Sequence, residues 1–245
     1  MKTCIIIPVY NHELAIVPLL AKLQPHGLPC LLVNDGSSPA CRRVLQECAL
    51  QEAGWVTLLD RPDNGGKGAA VIAGFQEAIR LGYSHAIQID ADGQHQAADI
   101  AEFLRLSGLK PEAMILGLPR FAADAPKNRR YGRQITNFWI WIHTLSLAIG
   151  DGMCGFRLYP LAAVEILLHS GTPLASGMDF DIDIVVRLYW QGVEAVNLPT
   201  PVRYPLDGVS HFNLWRDNLL IAKTHARLFF GMLPRIPRLL ARRRR

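Results

Sequence analysis

The chain has 245 residues, with 26 Lys plus Arg against 21 Asp plus Glu and a formal net charge of +5. Six arginines (Arg235, Arg238, Arg242, Arg243, Arg244, Arg245) fall in the last eleven residues, which hold no acid, and removing them from +5 leaves −1. A near-neutral body excludes the broad basic surface of a general nucleic-acid binder and leaves the tail as the candidate for an anionic partner, while 50% hydrophobic and 19% charged residues exclude disorder.

In chain order, short apolar runs alternate with longer amphipathic ones. The runs at 4–9, 30–33, 56–59, 86–89 and 113–116 have strand length, and the spacing between them predicts helices over 13–23, 40–53, 67–81 and 97–106. Ser38, followed by Pro39, is the expected cap of the second helix. Buried runs separated by helices make an α/β fold with a mostly parallel sheet covered on both faces.

After Pro119 the alternation stops. A Lys- and Arg-rich segment, 120–133, reads as a polar loop leading to an aromatic stretch with Phe138, Trp139 and Trp141. The uncharged run 134–150 falls short of the roughly 18 to 20 apolar residues of a membrane-spanning helix, so no transmembrane segment is expected. Further helices are predicted near 161–168, 182–191 and 212–232. With no internal repeat and no second strand–helix series, the expected organisation is one domain, 1–210, and an appendage, 211–245, made of an amphipathic helix and an arginine tail. Five cysteines without a CxxC pairing, and four apolar residues before Pro8, read as reduced thiols in a cytoplasmic chain without a signal peptide.

Three segments can carry chemistry. Ile87-Gln88-Ile89-Asp90-Ala91-Asp92-Gly93-Gln94-His95 is a strand ending in two acids, the place where open α/β sheets bind ligands, and two carboxylates there suit a hard cation such as Mg²⁺. The competing reading is an Asp-Gly turn; an EF-hand loop fails because His95 and Ala101 stand where Gly and Glu are required. Asp35, directly after a second strand, can accept hydrogen bonds from a base or ribose, or form a simple turn. Asp63-Asn64-Gly65-Gly66-Lys67-Gly68-Ala69-Ala70 opens a helix with glycines, offering backbone N–H groups and Lys67 to an anion. It is not a Walker loop, since Arg61 and Gly68 replace the first Gly and the Ser/Thr, and Val71 breaks the dinucleotide fingerprint.

Taken in order and spacing, Ile7-Pro8-Val9-Tyr10-Asn11, Val33-Asn34-Asp35-Gly36-Ser37, Asn64-Gly65-Gly66-Lys67-Gly68-Ala69-Ala70 and Asp90-Ala91-Asp92-Gly93-Gln94-His95 resemble the motifs of family-two glycosyltransferases with the GT-A fold. The likeness is to the polyprenyl-phosphate, dolichyl-phosphate mannosyltransferase-like branch. It continues through Asp151-Gly152-Met153-Cys154-Gly155-Phe156-Arg157, Met178-Asp179-Phe180-Asp181-Ile182-Asp183 and Gly208-Val209-Ser210-His211-Phe212. The resemblance implies a nucleotide-sugar site with Pro8, Tyr10, Asn11, Asp35, Lys67 and Asp90. It also implies Mg²⁺ or Mn²⁺ held by Asp92 and Gln94 beside Asp90, Arg203 with Ser210 closing over the phosphates, and Gly155, Phe156 and Arg157 on the acceptor side. Asp183 stands where many relatives have Glu, and the membrane helices that some relatives carry are missing.

The expected reaction is an inverting transfer of a sugar from a nucleotide diphosphate sugar to an acceptor, with the metal neutralising charge on the leaving diphosphate. A lipid-phosphate acceptor needs little general base. A hydroxyl acceptor needs one, from Asp179, Asp181 or Asp183, with Asp181 and Asp179 the leading candidates; their ordinary role is first-turn acids on a helix dipole, worth about 0.3 to 1 kcal/mol each. Nucleotidyl transfer to a sugar phosphate and a non-enzymatic membrane-associated binding protein are the rival readings.

At 100° per residue, Arg216, Lys223 and Arg227 share one face of the last helix, beside an arc of Trp215, Leu219, Ala222, Ala226 and Phe229. That is the pattern of a helix at a membrane surface, or of one packed on the sheet with solvated charges. The arginines of 235–245, at about 1 kcal/mol each near an anionic leaflet, favour the first and predict peripheral attachment to the cytoplasmic face of a membrane. The uncharged run 135–149, with Phe138, Trp139 and Trp141, is expected either to cover the acceptor groove near lipid or to pack in the core. No chemistry is assigned to His12, His85, His143, His169 or His225.

Overall fold

The computed structural model describes residues 1–121, 127–202 and 213–242, with the backbone alone for 127–130. Arg203 and Ser210 lie outside the described residues, as do 243–245 of the tail.

Seven strands form one sheet: β1 Thr3–Val9, β2 Cys30–Asp35, β3 Val56–Arg61, β4 His85–Gln88, β5 Met114–Phe121, β6 Arg157–Pro160 and β7 Ala195–Val202, in the order β3-β2-β1-β4-β6-β5-β7. The pairs β1–β2, β2–β3, β1–β4 and β5–β7 are parallel, whereas β6 runs antiparallel between β4 and β5. The mostly parallel sheet expected from the apolar runs is therefore present, with one reversed strand. β1 is buried along its whole length, turning Cys4 and Ile6 to one hydrophobic cluster and Ile5, Ile7 and Val9 to the other. Helices cover both faces, which is why such a strand reads as a continuous apolar run.

The helices are α1 Glu13–Leu23, α2 Pro39–Gln51, α3 Lys67–Arg80, α4 Ile100–Leu109, α5 Lys127–Thr144, α6 Leu161–Leu168, α7 Phe180–Gln191, α8 Leu214–Met232 and α9 Ile236–Arg242. Ser38 caps α2 as its position predicts, its Oγ accepting from Cys41 N at 3.2 Å. α3 lies close on the sheet because Gly74 has no side chain: a Cβ there would come within 2.5 Å of Ile6 Cγ2.

Two features depart from the local pattern. The segment 120–133 is not a loop throughout, since β5 runs on to Phe121 and α5 has begun at Lys127. β6 and β7 were hidden, β6 by its four-residue length and β7 by Pro199 and Pro201. Those prolines are tolerated because β7 is an edge strand and its outer side needs no ladder donors.

The C-terminal region joins the main core: Ile221, Leu228 and Met232 of α8 and Leu239 of α9 share a cluster with Phe180 and Val186. Two arginines of the expected free tail are folded in. Arg242 donates to Tyr189 O at 2.5 Å and Val193 O at 2.8 Å, satisfying carbonyls at the end of α7, and Arg235 lies over the Trp190 ring at 4.8 Å. All five cysteines are free and buried. Among the described residues, no helix is long and apolar enough to cross a membrane.

Candidate active site

The carboxyl ends of β1, β2 and β4 converge at one edge of the sheet. Asp35 closes β2 and is 2% exposed. Its carboxylate accepts from Gly65 N at 3.0 Å and Gly66 N at 2.8 Å and pairs with Arg61. Gly36 follows with φ 64°, the left-handed turn that glycine adopts without strain. Asp35 thus anchors the glycine loop. Asn11 links the end of β1 to the same turn, its N donating to Ser37 Oγ at 3.1 Å and its Oδ1 accepting from Ser38 N at 2.8 Å. Pro8 is buried and Tyr10 half-buried beside it.

Four amides of the glycine loop are engaged within the protein. Gly65 and Gly66 donate to Asp35, Gly68 N to Gly177 O at 3.3 Å, and Ala69 N to Ser176 O at 3.0 Å. What the loop presents is Lys67. Its Nζ lies 2.7 Å from Asp90 and 2.6 Å from Asp181, with the side chain 13% exposed. Burial works against the charge on Lys67, but the Asp181 and Asp90 carboxylates outweigh it and hold the ammonium above its ordinary range. Burial also opposes ionisation of Asp90, and there Lys67 and His95, the latter at 3.9 Å, win and hold its carboxyl well below the usual range.

Asp92 behaves oppositely. Burial and the charge of Asp90 raise it, although its Oδ1 accepts from Gln94 N at 3.0 Å. Lys67 therefore leaves one of the two carboxylates uncompensated, and hard oxygen donors from Asp90, Asp92 and the Gln94 amide are a set that Mg²⁺ or Mn²⁺ fits. Among the described residues no group of three His, Cys, Asp or Glu converges as a metal cage, so such a cation would draw its remaining ligands from substrate and water.

Gly155 sits against Asp90, where a Cβ would overlap the carboxylate. Phe156 is buried, its ring 4.4 Å from Phe103 and 5.3 Å from His95. Arg157 is fully buried behind the site, its Nη1 donating to the Asp181 carbonyl at 2.6 Å and to Tyr159 Oη at 3.3 Å. In this arrangement it supports Asp181 from behind.

The three acids of α7 divide. Asp181 accepts from Lys67 and from Gln88 Nε2, the latter at 2.9 Å. Asp179 accepts from Thr224 Oγ1 at 2.6 Å, and its side chain makes no cap bond to α7. Asp183 is fully buried, accepting from Ala175 N at 2.9 Å and pairing with Arg227 at 2.8 Å. Only Asp181 faces the Lys67 cluster. Gln88 and Arg61 were missed from the sequence; an amide inside the otherwise apolar run 86–89 was the available signal for the first.

The sequence pattern of glycosyl transferase family 2 matches residues 4–165. The chain belongs to that family. This glycosyltransferase is 30% identical over 216 residues to polyprenol monophosphomannose synthase of Mycolicibacterium smegmatis, covering 81% of this chain and 76% of the relative. It is 26% identical to undecaprenyl-phosphate mannosyltransferase of Micrococcus luteus, covering 81% and 82%. In fold, it resembles mannosyl-3-phosphoglycerate synthase of Rubrobacter xylanophilus, with TM-score 0.67 and 14% identity over 97% of this chain and 75% of that one. It also resembles a mannosyltransferase of Pyrobaculum calidifontis in complex with GDP-Man and Mn²⁺, with TM-score 0.62 and 15% identity over 98% and 74%. The fold of this glycosyltransferase is thus GT-A-like. The matched stretch holds Asp35, Lys67, Asp90, Asp92 and Arg157 but ends before α7, so Asp181 enters the site from outside it.

Proposed function

We propose that this glycosyltransferase moves a hexosyl group, with inversion, from a nucleotide diphosphate sugar to a polyprenyl phosphate. In the transfer a phosphate oxygen of the acceptor bonds to the anomeric carbon while the bond from that carbon to the diphosphate breaks, giving a lipid phosphosugar and a nucleoside diphosphate. The observation that carries the acceptor class is the state of the three α7 acids. Asp181 is paired with Lys67 and bonded by Gln88, Asp183 is paired with Arg227, and Asp179 accepts from Thr224, which favours an acceptor that needs no general base from this group. A phosphate nucleophile is already anionic near neutral pH and needs no such base. Two of the relatives, by their names a polyprenol monophosphomannose synthase and an undecaprenyl-phosphate mannosyltransferase, support the same class.

Asp92, Gln94 and Asp90 would hold the divalent cation, which when bound neutralises the charge developing on the leaving diphosphate. Lys67 keeps Asp90 and Asp181 in place, and Asp181 acts through it as a positioning group. Pro8, Tyr10, Asn11 and the loop anchored by Asp35 shape the nucleoside side. A lipid-linked acceptor requires the site to meet a membrane, in keeping with peripheral attachment at the cytoplasmic face.

The test is a panel of nucleotide sugars with a polyprenyl phosphate, with and without Mn²⁺. Release of nucleoside diphosphate and a glycosylated lipid is expected. Release of pyrophosphate would replace this reading with nucleotidyl transfer.

A further inference from the structure

α5 and α8 lie side by side, joined where His143 Nε2 and His225 Nδ1 stand 3.0 Å apart, with the Trp139 ring 5.9 Å and 6.1 Å from the two imidazoles. α8 buries Ile221, Thr224, His225, Leu228 and Met232 on one face. The opposite arc is apolar yet open: Trp215 is 91% exposed, Leu219 57% and Phe230 68%. α5 continues it with Ile135 at 63%, Phe138 at 55% and Trp139 at 37%. Arg216 and Lys223 are exposed along the far margin of α8, and the one acid of that helix, Asp217, is buried and accepts from Asn213 N at 2.7 Å.

The arc also has a definite place in the fold. α8 runs alongside α7, with Thr224 meeting Asp179, Arg227 meeting Asp183 and Gly231 against Trp190. Since α7 begins at the catalytic edge, the part of α8 before Thr224 rises past that edge, carrying Trp215 and Leu219. α5 is tied to the same edge, Arg133 pairing with Asp151 at 2.6 Å and Asn137 bonding Gly150 O and Gly152 N at 3.1 Å, in the segment that leads to Gly155 and Asp90.

We propose that the exposed arc of α5 and α8 seats the protein on an anionic phospholipid bilayer, with the aromatic and aliphatic side chains at the acyl boundary and Arg216 and Lys223 in the phosphate layer. Contiguous apolar surface of this extent marks an interaction site, and two exposed tryptophans beside a margin of one sign of charge fit a lipid interface. The occupant is set by charge: the arc offers cations and no acid, which complements headgroup phosphates. Arg235 and Arg242 are engaged on Trp190, Tyr189 and Val193, so the proposal does not draw on them. The proposal rests on the lipid-acceptor reading only for its orientation, with the catalytic edge turned to the membrane.

Flotation of the full chain with vesicles of equal phosphatidylglycerol and phosphatidylcholine tests it. The wild type is expected to float, and the triple variant Phe138→Glu, Trp215→Glu, Leu219→Glu to stay in solution with an unchanged melting temperature, since all three side chains are exposed. Arg216→Gln and Lys223→Gln should each lower the partition coefficient about fivefold at low salt. Undiminished flotation of the triple variant, or equal binding of the wild type to pure phosphatidylcholine, would overturn the proposal. So would light scattering that shows a wild-type dimer returned to monomer by the triple substitution, because the arc would then belong to a second copy. Nucleoside diphosphate binding by calorimetry without vesicles separates the two readings: its absence counts against sugar transfer and leaves the flotation result standing.

Discussion

Lys67 and Asp181 are 114 residues apart in the chain and meet at 2.6 Å, with Asp90 on the other side of the same ammonium at 2.7 Å. One cation from the first turn of α3 thus joins the end of β4 to the first turn of α7. The pairing draws together the end of a central strand, a glycine loop and a helix, and it leaves Asp92 as the carboxylate with charge to spare.

Replacing Lys67 by Met removes the shared partner of two carboxylates in a largely buried setting. Unfolding in urea should show a loss of about 3 kcal/mol, the usual cost of breaking such a pair by removing one member. Activity should fall by a factor of about 100 or more, as for the loss of a positioned charge in a water-poor site. An unchanged denaturation midpoint would mean that the ion pair is not maintained in solution.

For Asp92→Asn the two readouts separate. Turnover dependent on Mn²⁺ should disappear, whereas metal-free stability near neutral pH should equal or exceed that of the wild type. The sign follows from the carboxyl of Asp92 being raised by burial and by Asp90: its contribution to stability is present below the unfolded value and is lost as pH rises through the folded one. Added Mn²⁺ with a nucleoside diphosphate should raise the melting temperature of the wild type and not of the variant.

His143 and His225 are both lowered by burial to about 4, with the second ring adding to the effect on His143. An imidazole depressed in the folded state takes up its proton first in the unfolded chain. Stability should therefore fall as pH drops from about 6.5 toward 4. Melting curves across that window should show the decline, and His225→Asn should flatten it.

Gly155→Ala places a methyl group into the Asp90 carboxylate. Overpacking of this kind costs about 1 to 3 kcal/mol, and here it displaces a residue of the proposed metal site. Weakened Mn²⁺ binding in the presence of nucleoside diphosphate, read by electron paramagnetic resonance, is the expected outcome. Wild-type binding in a stable variant would show that Asp90 adjusts freely.

Much of the fold was legible because its signals are local. The apolar run of β1, the Ser38 cap of α2 and the acids ending β4 each depend on a few neighbours in sequence, and all three stand where the pattern placed them. β7 was not legible, since two prolines argue against a strand until it is known to be an edge.

By itself the sequence determined the α/β alternation, the strand-end position of Asp35, Asp90 and Asp92, and membership of the family, all carried by residue order and spacing. Only the tertiary structure decided what those polar groups face: that Asp35 holds the glycine loop, that Lys67 serves two acids, that Arg157 lies beneath Asp181, that Asp183 is locked to α8, and that Arg242 closes α7. The reason is physical. A local pattern states which face of an element is apolar, but the partner of a charged side chain depends on which elements become neighbours, and that follows from sheet order and helix packing across the whole chain.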